Sequence, residues 1–292
     1  MSDTSDFKIC VCFVADVPYT TGVHIFNACK QLYPNTVAAH PHNLPPDCDL
    51  YFHVDSGHED TQILSPKDKT IFYAIDDYQN HPEFNWGSRL NWWHHVIDRT
   101  FMFVDAFKYG TEWLKTLHDK VHYISMGYDP NLYFYEDLEK KYDVCFVGGH
   151  YGDRPQLLEI VAKHFNLYAP KWTETPTQGH DLRRAACSAK CFLDIPPINE
   201  NMLGQRFFEG YACKVPMVSM ERPCIEPYVS NGITLYNKDN LEGSLVEAIN
   251  AAMEIKAPVD RELSGESMEE KMAWTEKVAF AVDTYKNYKS IS

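Results

Sequence analysis

Arg206 and Glu209 are the residues whose types and spacing most directly suggest chemistry. They stand three positions apart in a segment with helical spacing, so their side chains share one face of the predicted helix. A carboxylate in such a position can accept hydrogen bonds from both hydroxyls of a ribose, and a neighbouring guanidinium can hold a diphosphate. The alternative is an ion pair on an exposed helix, which contributes only roughly 0.3–0.5 kcal/mol.

A glycine-rich turn over residues 148–154 follows one predicted strand and opens a predicted helix. Glycines such as Gly149 let a backbone approach a phosphate closely, and the amides at a helix N-terminus attract anions. Arg154 could add a charged hydrogen bond to the same anion. A plain strand-to-helix turn that uses glycine for its shape is the alternative, and the motif alone does not decide between them.

Two further places offer a general base or a phosphate contact. The loop after the first strand, residues 16–24, contains Gly22 and His24. Gly22 and the N-terminus of the following helix could approach a phosphate. His24 could act as a base. A helix-capping turn with a solvated histidine is the alternative. Asp76 and Asp77 end another predicted strand, but adjacent strand residues point to opposite faces, so at most one of them could serve as a base.

Composition narrows the classes of function. The net charge of -14 argues against general binding to nucleic acid, which needs an excess of Lys and Arg. The polar N-terminus has no secretory signal pattern, so we expect a cytoplasmic protein whose nine cysteines are reduced. Cys187 and Cys191 have helical spacing but no second ligand pair, which favours buried thiols over a metal site. No apolar stretch is long enough for membrane insertion.

The elements that must position these residues alternate along the chain in two series. Continuous apolar runs predict buried parallel strands over residues 8–15, 49–55, 70–76, 99–105 and 122–127, then 143–149, 165–169, 191–195, 215–220 and 232–236. Helical spacing predicts helices over 23–33, 108–117, 156–165, 202–213, 241–255 and 268–288. This pattern predicts an α/β protein with a first domain over 1–140, a second over 141–265 and a C-terminal helix over 266–292.

The segment around Arg206 resembles the signature helix of the GT-B glycosyltransferases, particularly the glycosyl transferase group 1 type and its spore-maturation-protein-like branch. In that family a run R-x-F-E-x-x-A-x-G-x-P precedes a strand. The matching residues are Arg206, Phe208, Glu209, Ala212 and Pro216. Residues 142–159 and 122–134 also resemble family segments, so the resemblance covers the chain from about residue 122 onward.

The resemblance implies two Rossmann-like domains that face a cleft, with the C-terminal helix crossing back to pack on the N-terminal domain. It implies transfer of a hexose or pentose from a nucleotide sugar, with a UDP-sugar favoured, to an acceptor hydroxyl without a metal or other cofactor. By residue matching, Glu209 becomes the ribose ligand, and Arg206 and Arg154 become diphosphate ligands. Gly22 and Gly149 are expected near the donor, and His24, Asp76 or Asp77 near the reacting groups.

Two departures from the family pattern leave questions open. Lys214 replaces the usual glycine, which is expected to alter the turn between helix and strand, and Asn201 stands where retaining members often have a glutamate. We count Asn201 as a donor-binding candidate, and the stereochemical outcome stays open. The acceptor also stays open among a glycan, a small molecule, a protein and a modified nucleobase. The alternatives to a glycosyltransferase are a GT-B-type nucleotide-sugar epimerase and a non-catalytic nucleotide-binding module.

Overall fold

A computed structural model of the chain describes two compact units. The first comprises Met1–Met126 and Ser267–Ser292, and the second comprises Gly127–Glu266. The residues that the structure describes are 6–14, 19–55, 63–75, 90–171, 174–175, 177–196, 202–229, 232–261 and 272–291. Residues 127–140, which the sequence analysis assigns to the first domain, belong to the second unit by their contacts.

The first unit contains a parallel sheet of six strands in the order β2-β1-β3-β4-β5-β6. The strands are β1 (Ile9–Cys12), β2 (Val37–Ala39), β3 (Leu50–Val54), β4 (Thr70–Ala74), β5 (Met102–Asp105) and β6 (Val121–Tyr123). Most of them are buried along their whole length, which explains why their sequences read as continuous apolar runs rather than as alternating ones. The short strand β2 is missing from the sequence prediction.

Helices cover this sheet. They are α1 (Thr21–Leu32), α2 (Leu90–Arg99), α3 (Lys108–Leu114) and the C-terminal α8 (Trp274–Ile291). The last helix, α8, packs against α1 in the first unit, although it is far from α1 in sequence. Its buried residues include Trp274, Lys277 and Tyr285. The sequence predicted this helix with an earlier start, but residues 262–271 lie outside the described residues.

The second unit contains a parallel sheet of five strands in the order β11-β10-β9-β7-β8. The strands are β7 (Tyr142–Cys145), β8 (Leu167–Tyr168), β9 (Ala189–Asp194), β10 (Met217–Met220) and β11 (Ile233–Tyr236). The helices are α4 (Arg154–His164), α5 (Gly179–Cys187), α6 (Gln205–Ala212) and α7 (Leu241–Met253), with a short 3₁₀ helix over Pro223–Tyr228.

The two faces of this second sheet carry different helices. Cys191 and Leu193 of β9 share one apolar cluster with α4 and α7. Phe192, between them, points to the other face and lies under α6, where a Cβ added at Gly210 would come within 2.6 Å of its ring. Helix α6 therefore packs closely on β9 on the face opposite α4 and α7.

The expected α/β class with two parallel, Rossmann-like sheets is confirmed. Cys187 ends α5, and Cys191 lies in β9, in agreement with the strand predicted over 191–195. Both thiols are buried, as expected. Among the described helices none combines the length and the apolar character that crossing a membrane requires.

Candidate functional site

The second sheet has a topological switch point between β7 and β9. From β7 the chain passes through α4 to β8 on one side, and β9 lies on the other side. The loops that leave the carboxyl ends of β7 and β9 therefore diverge, and open α/β sheets bind their ligands in the crevice that results. The loop after β7 carries the glycine-rich turn, and the loop after β9 leads to the N-terminus of α6.

Arg154 ties these two loops together. Its Nη1 donates a hydrogen bond to the Gly149 carbonyl at 3.1 Å, while its Nη2 donates to Ile195 at 2.9 Å and its Nε to Pro196 at 3.2 Å. The guanidinium also stacks on the Tyr151 ring at 4.4 Å from the ring centroid. Because a guanidinium carries five N–H donors and three are used here, it retains donors for an anionic ligand.

Glu209 lies at the centre of a buried hydrogen-bonded group and is 0% exposed. Arg206 Nη1 donates to Oε2 of Glu209, the Tyr133 hydroxyl donates to Oε1 at 2.8 Å, and Gln205 Nε2 approaches Oε1 at 3.4 Å. Gln205 also donates to the Gly127 carbonyl at 2.7 Å. This Glu209 network consists of Tyr133, Gln205, Arg206 and Glu209, and it holds the segment before β7 against α6.

The electrostatics of the Glu209 network follow from burial. Burial lowers the pKa of Arg206, but the Glu209 carboxylate more than offsets this effect, so the Arg206 pKa is raised. Burial, followed by the Glu209 charge, raises the pKa of Tyr133, so its hydroxyl remains a donor. The exposed ion pair considered in the sequence analysis is not what the structure contains. To bind a ribose, Glu209 must exchange one of these partners for a ligand hydroxyl.

Sequence reasoning missed Tyr133 as the partner of Glu209. The residue lies in the segment 122–134 that resembles the family, but its distance of 76 residues from Glu209 gave no signal of contact. The structure also shows that Lys214 has a φ of 53°, the left-handed conformation that glycine adopts easily. The expected change in this turn is therefore wrong, because Lys214 takes the conformation typical of glycine.

A second buried ion pair lies at the carboxyl ends of β9 and β10. Arg222 Nη2 donates to Asp194 Oδ2 at 2.6 Å, and the Ser219 hydroxyl donates to the same oxygen at 2.7 Å. Burial lowers the pKa of Arg222, and the Asp194 charge more than offsets this effect, so the net pKa is raised. The sequence analysis did not single out these residues, whose separation of 25 or 28 positions hides the contact.

A cavity of about 410 Å³ opens beside the switch point, on the face that carries α4 and α7. It lies at the carboxyl ends of β9, β10 and β11 and at the first turns of α4 and α7. Its lining residues are Tyr151, Gly152, Asp153, Arg154, Gln156, Leu157, Ile195, Pro196, Met220, Tyr236, Lys238 and Leu241. Arg154 therefore belongs both to the crevice between the loops and to the wall of this cavity.

Gly22 and His24, the predicted site residues of the first unit that the structure describes, are both buried in α1. A Cβ added at Gly22 would lie 2.6 Å from the Phe13 side chain, so glycine is required there for packing. His24 is 2% exposed, and its ring stacks with that of Trp274 at 6.4 Å between centroids. The alternative of a solvated histidine is therefore wrong, and a role as base would require access that this structure does not provide.

Three candidate residues, Asp76, Asp77 and Asn201, lie outside the described residues. Of the other candidates, Gly149, Arg154, Arg206 and Glu209 lie in the second unit, and Gly22 and His24 lie in the first. Within the described ranges, no group of three or more His, Cys, Asp or Glu side chains could hold a metal ion. Metal independence stays a prediction.

Comparison with known proteins adds a family match that lies almost entirely in the second unit. Residues 153–271 match the family model described as glycosyl transferase-like. No curated protein sequence matches the chain. The expected glycosyltransferase class is confirmed at this level, while the spore-maturation-protein-like branch stays a prediction.

Solved structures with the same fold cover nearly the whole chain. Sucrose-phosphate synthase from Thermosynechococcus elongatus has a TM-score of 0.61 at 11% identity over 98% of this chain and 100% of that one. HepE from Anabaena, in complex with UDP and glucose, has a TM-score of 0.60 at 11% identity over 98% and 99%. The β-glucosyltransferase of T4 phage has a TM-score of 0.54 at 11% identity over 97% and 99%. At this identity the likeness shows the GT-B fold.

Proposed function

Since the chain carries a glycosyl transferase-like domain over residues 153–271, we propose that it transfers a sugar from a nucleotide-sugar donor to an acceptor hydroxyl. The proposed donor site is the crevice between the loops after β7 and β9. One observation carries this assignment: Arg154 bridges these two loops, and the second loop leads directly to Arg206 and Glu209 on α6.

The chemistry of glycosyl transfer explains why this arrangement suits the donor. The acceptor oxygen forms a bond to the anomeric carbon, the bond from that carbon to the diphosphate breaks, and the acceptor proton passes to a base. Negative charge develops on the departing diphosphate, so positioned cations and helix amides lower the barrier. Arg154, Arg206 and the N-terminus of α6 supply positive charge of this kind at one edge of the sheet.

Glu209 is the proposed ribose ligand, with Gly149 and Asn201 as further donor contacts. The carboxylate is held in place before any ligand arrives, because Tyr133 and Gln205 both approach Oε1. Rotation of Arg206 towards the diphosphate would release Oε2 for the ribose hydroxyls. The proposal therefore includes an exchange in which the donor diphosphate takes Arg206 and the donor ribose takes its place on Glu209.

UDP is the first nucleotide to test. HepE was solved with UDP and glucose, and a structure of the DNA-modifying β-glucosyltransferase was solved with uridine diphosphoglucose. The proposal includes no metal or other cofactor. The acceptor remains a glycan, a small molecule, a protein or a modified nucleobase. The proposed base that takes its proton is Asp76, Asp77 or His24, and His24 would serve only if its buried ring became accessible to the acceptor.

The test measures UDP binding by calorimetry for the wild type, Glu209→Gln and Arg206→Met, with and without EDTA. Losing a hydrogen bond to a charged group costs about 1.5–3 kcal/mol, so we expect roughly a tenfold to hundredfold increase in Kd for each variant. The matched control is Glu159→Gln, which changes an exposed glutamate of α4 in the same unit. Unchanged affinity in both site variants would refute the donor site.

One observation favours a second candidate function. Glu209 is fully enclosed by its partners, which is also what a structural ion pair in a non-catalytic nucleotide-binding module would require. Turnover separates the two functions, since we expect an enzyme to release UDP from UDP-glucose slowly by transferring the glucose to water when no other acceptor is present. Tight UDP binding without any release of UDP from UDP-sugars would favour the binding module.

A further inference from the structure

Of the proposed donor-binding side chains in the described ranges, Arg154 alone lines the cavity of about 410 Å³. Neither Arg206 nor Glu209 is among the described residues that line it. It lies on the α4 and α7 face of the sheet, whereas α6 packs on Phe192 on the opposite face. Its volume is within the range of about 300–1,000 Å³ that is usual for small-molecule sites.

Tyr236 gives the first indication of a ligand. Its side chain lines the cavity from the end of β11 and is 1% exposed. Its hydroxyl has no hydrogen-bond partner among the described residues. Burial raises the pKa of Tyr236, so the group is a neutral donor over the physiological range. Because buried hydroxyls in proteins are almost always hydrogen-bonded, this one points to a partner that enters the cavity.

The electrostatics of the cavity favour an anion. Arg154 and Lys238 lie in its wall, and Asp153 is the one carboxylate among the described lining residues. Helices α4 and α7 both begin there, and neither has a side-chain hydrogen bond from its N-cap residue. The amides of these first turns and the positive ends of the two helix dipoles are therefore directed towards the cavity.

The rest of the lining suits an apolar or aromatic body. Leu157, Ile195, Met220 and Leu241 contribute aliphatic surface. The ring of Tyr151 carries the Arg154 guanidinium at 4.4 Å on one side, so Arg154 is held in a fixed orientation. A site with fixed cations at one end and aliphatic walls elsewhere recognises a molecule that has both kinds of surface.

We propose that this cavity is a second ligand site, adjacent to the donor site with which it shares Arg154, and that it binds an organic phosphate monoester through Arg154, Lys238 and the Tyr236 hydroxyl. The phosphate lies between the first turns of α4 and α7, and the organic part contacts the aliphatic wall. The proposal does not depend on the identity of the donor or on transfer activity.

The probe is phenyl phosphate, which combines a phosphate monoester with an apolar ring. Calorimetry compares its binding to the wild type, Tyr236→Phe, which removes only the hydroxyl, and Lys238→Ala, which removes the second cation. We expect Kd to rise by about tenfold or more in each variant, because each removes a charge-assisted contact. The matched control is Lys256→Ala, an exposed lysine of the same unit outside the cavity, which should leave Kd unchanged.

Two further measurements separate this site from the donor site. Phenyl phosphate should bind equally well to Glu209→Gln, because Glu209 is not among the described residues that line the cavity, and Tyr236→Phe and Lys238→Ala should leave the Kd for UDP unchanged. A rise of the Kd for UDP in both Tyr236→Phe and Lys238→Ala would assign the cavity to the donor site and overturn the proposal. No binding at millimolar concentration, or binding that is unchanged in both Tyr236→Phe and Lys238→Ala, would also overturn it. Circular dichroism checks that each variant is folded.

Discussion

Replacing Arg206 by methionine should strongly destabilise the second unit, since it leaves a buried carboxylate without its cation. Glu209 is 0% exposed, and the Arg206 side chain is only 25% exposed, so water cannot fully replace the guanidinium. Methionine is similar in length to the aliphatic part of arginine and keeps most of the packing. The substitution therefore isolates the ion pair.

The expected loss is about 3–5 kcal/mol, which is typical when one partner of a buried ion pair is removed. The remaining hydrogen bonds from Tyr133 at 2.8 Å and Gln205 at 3.4 Å place the expectation at the lower end of that range. For a unit of this size, a loss of about 3 kcal/mol lowers Tm by roughly 6–12 °C. Adding Glu209→Gln to Arg206→Met removes the unpaired charge and should recover about 2 kcal/mol.

The assay is urea denaturation followed by circular dichroism on the wild type, both single variants and the double variant. Together they form a double-mutant cycle, for which we expect a coupling energy of at least about 2 kcal/mol, because the loss in Glu209→Gln alone adds to the recovery in the double variant. Arg184→Met, at an exposed position of α5, is the matched control and should change stability by less than about 0.5 kcal/mol. A loss below about 1 kcal/mol for Arg206→Met, or no recovery in the double variant, would refute the reasoning.

Two further predictions concern pH and backbone strain. Burial lowers the pKa of His53 to about 4. In the unfolded chain the same histidine takes up a proton near pH 6.5, so its contribution to the free energy of unfolding is complete above that pH. This contribution, roughly 3 kcal/mol, is lost as the pH falls from about 6.5 to about 4. His53→Gln should flatten that part of a stability-against-pH curve, and an unchanged slope would contradict the assignment. Lys214→Gly should raise stability by about 1 kcal/mol in thermal denaturation, since Lys214 has a φ of 53°. Lys214→Ala keeps the Cβ and should give no such gain.

Much of the fold could be predicted because its signals are local. A strand such as β3 is buried along its whole length and reads as an apolar run, while α7 shows the spacing of one buried helical face. These patterns follow from the geometry of a single segment and its burial. The short β2 strand, by contrast, is half-exposed, and its three residues are too few to form a recognisable apolar run.

The candidate site was predictable only in its residue types. The pairing of Arg206 with Glu209 follows from their spacing on one helix, and Arg154 follows from its position after a glycine-rich turn. Neither pattern indicates how deeply a side chain is buried. Spacing predicted that the pair could meet, and packing decided that it lies inside the protein.

Contacts between segments far apart in the chain depend on tertiary structure alone. Tyr133 reaches Glu209, Arg154 joins the loops after β7 and β9, and the C-terminal helix brings Trp274 onto His24. The Tyr236 hydroxyl faces a cavity because α4 and α7 begin at the same edge of the sheet. Local periodicity specifies which face of an element is apolar, but the neighbour that covers that face is chosen only when the sheets and helices pack.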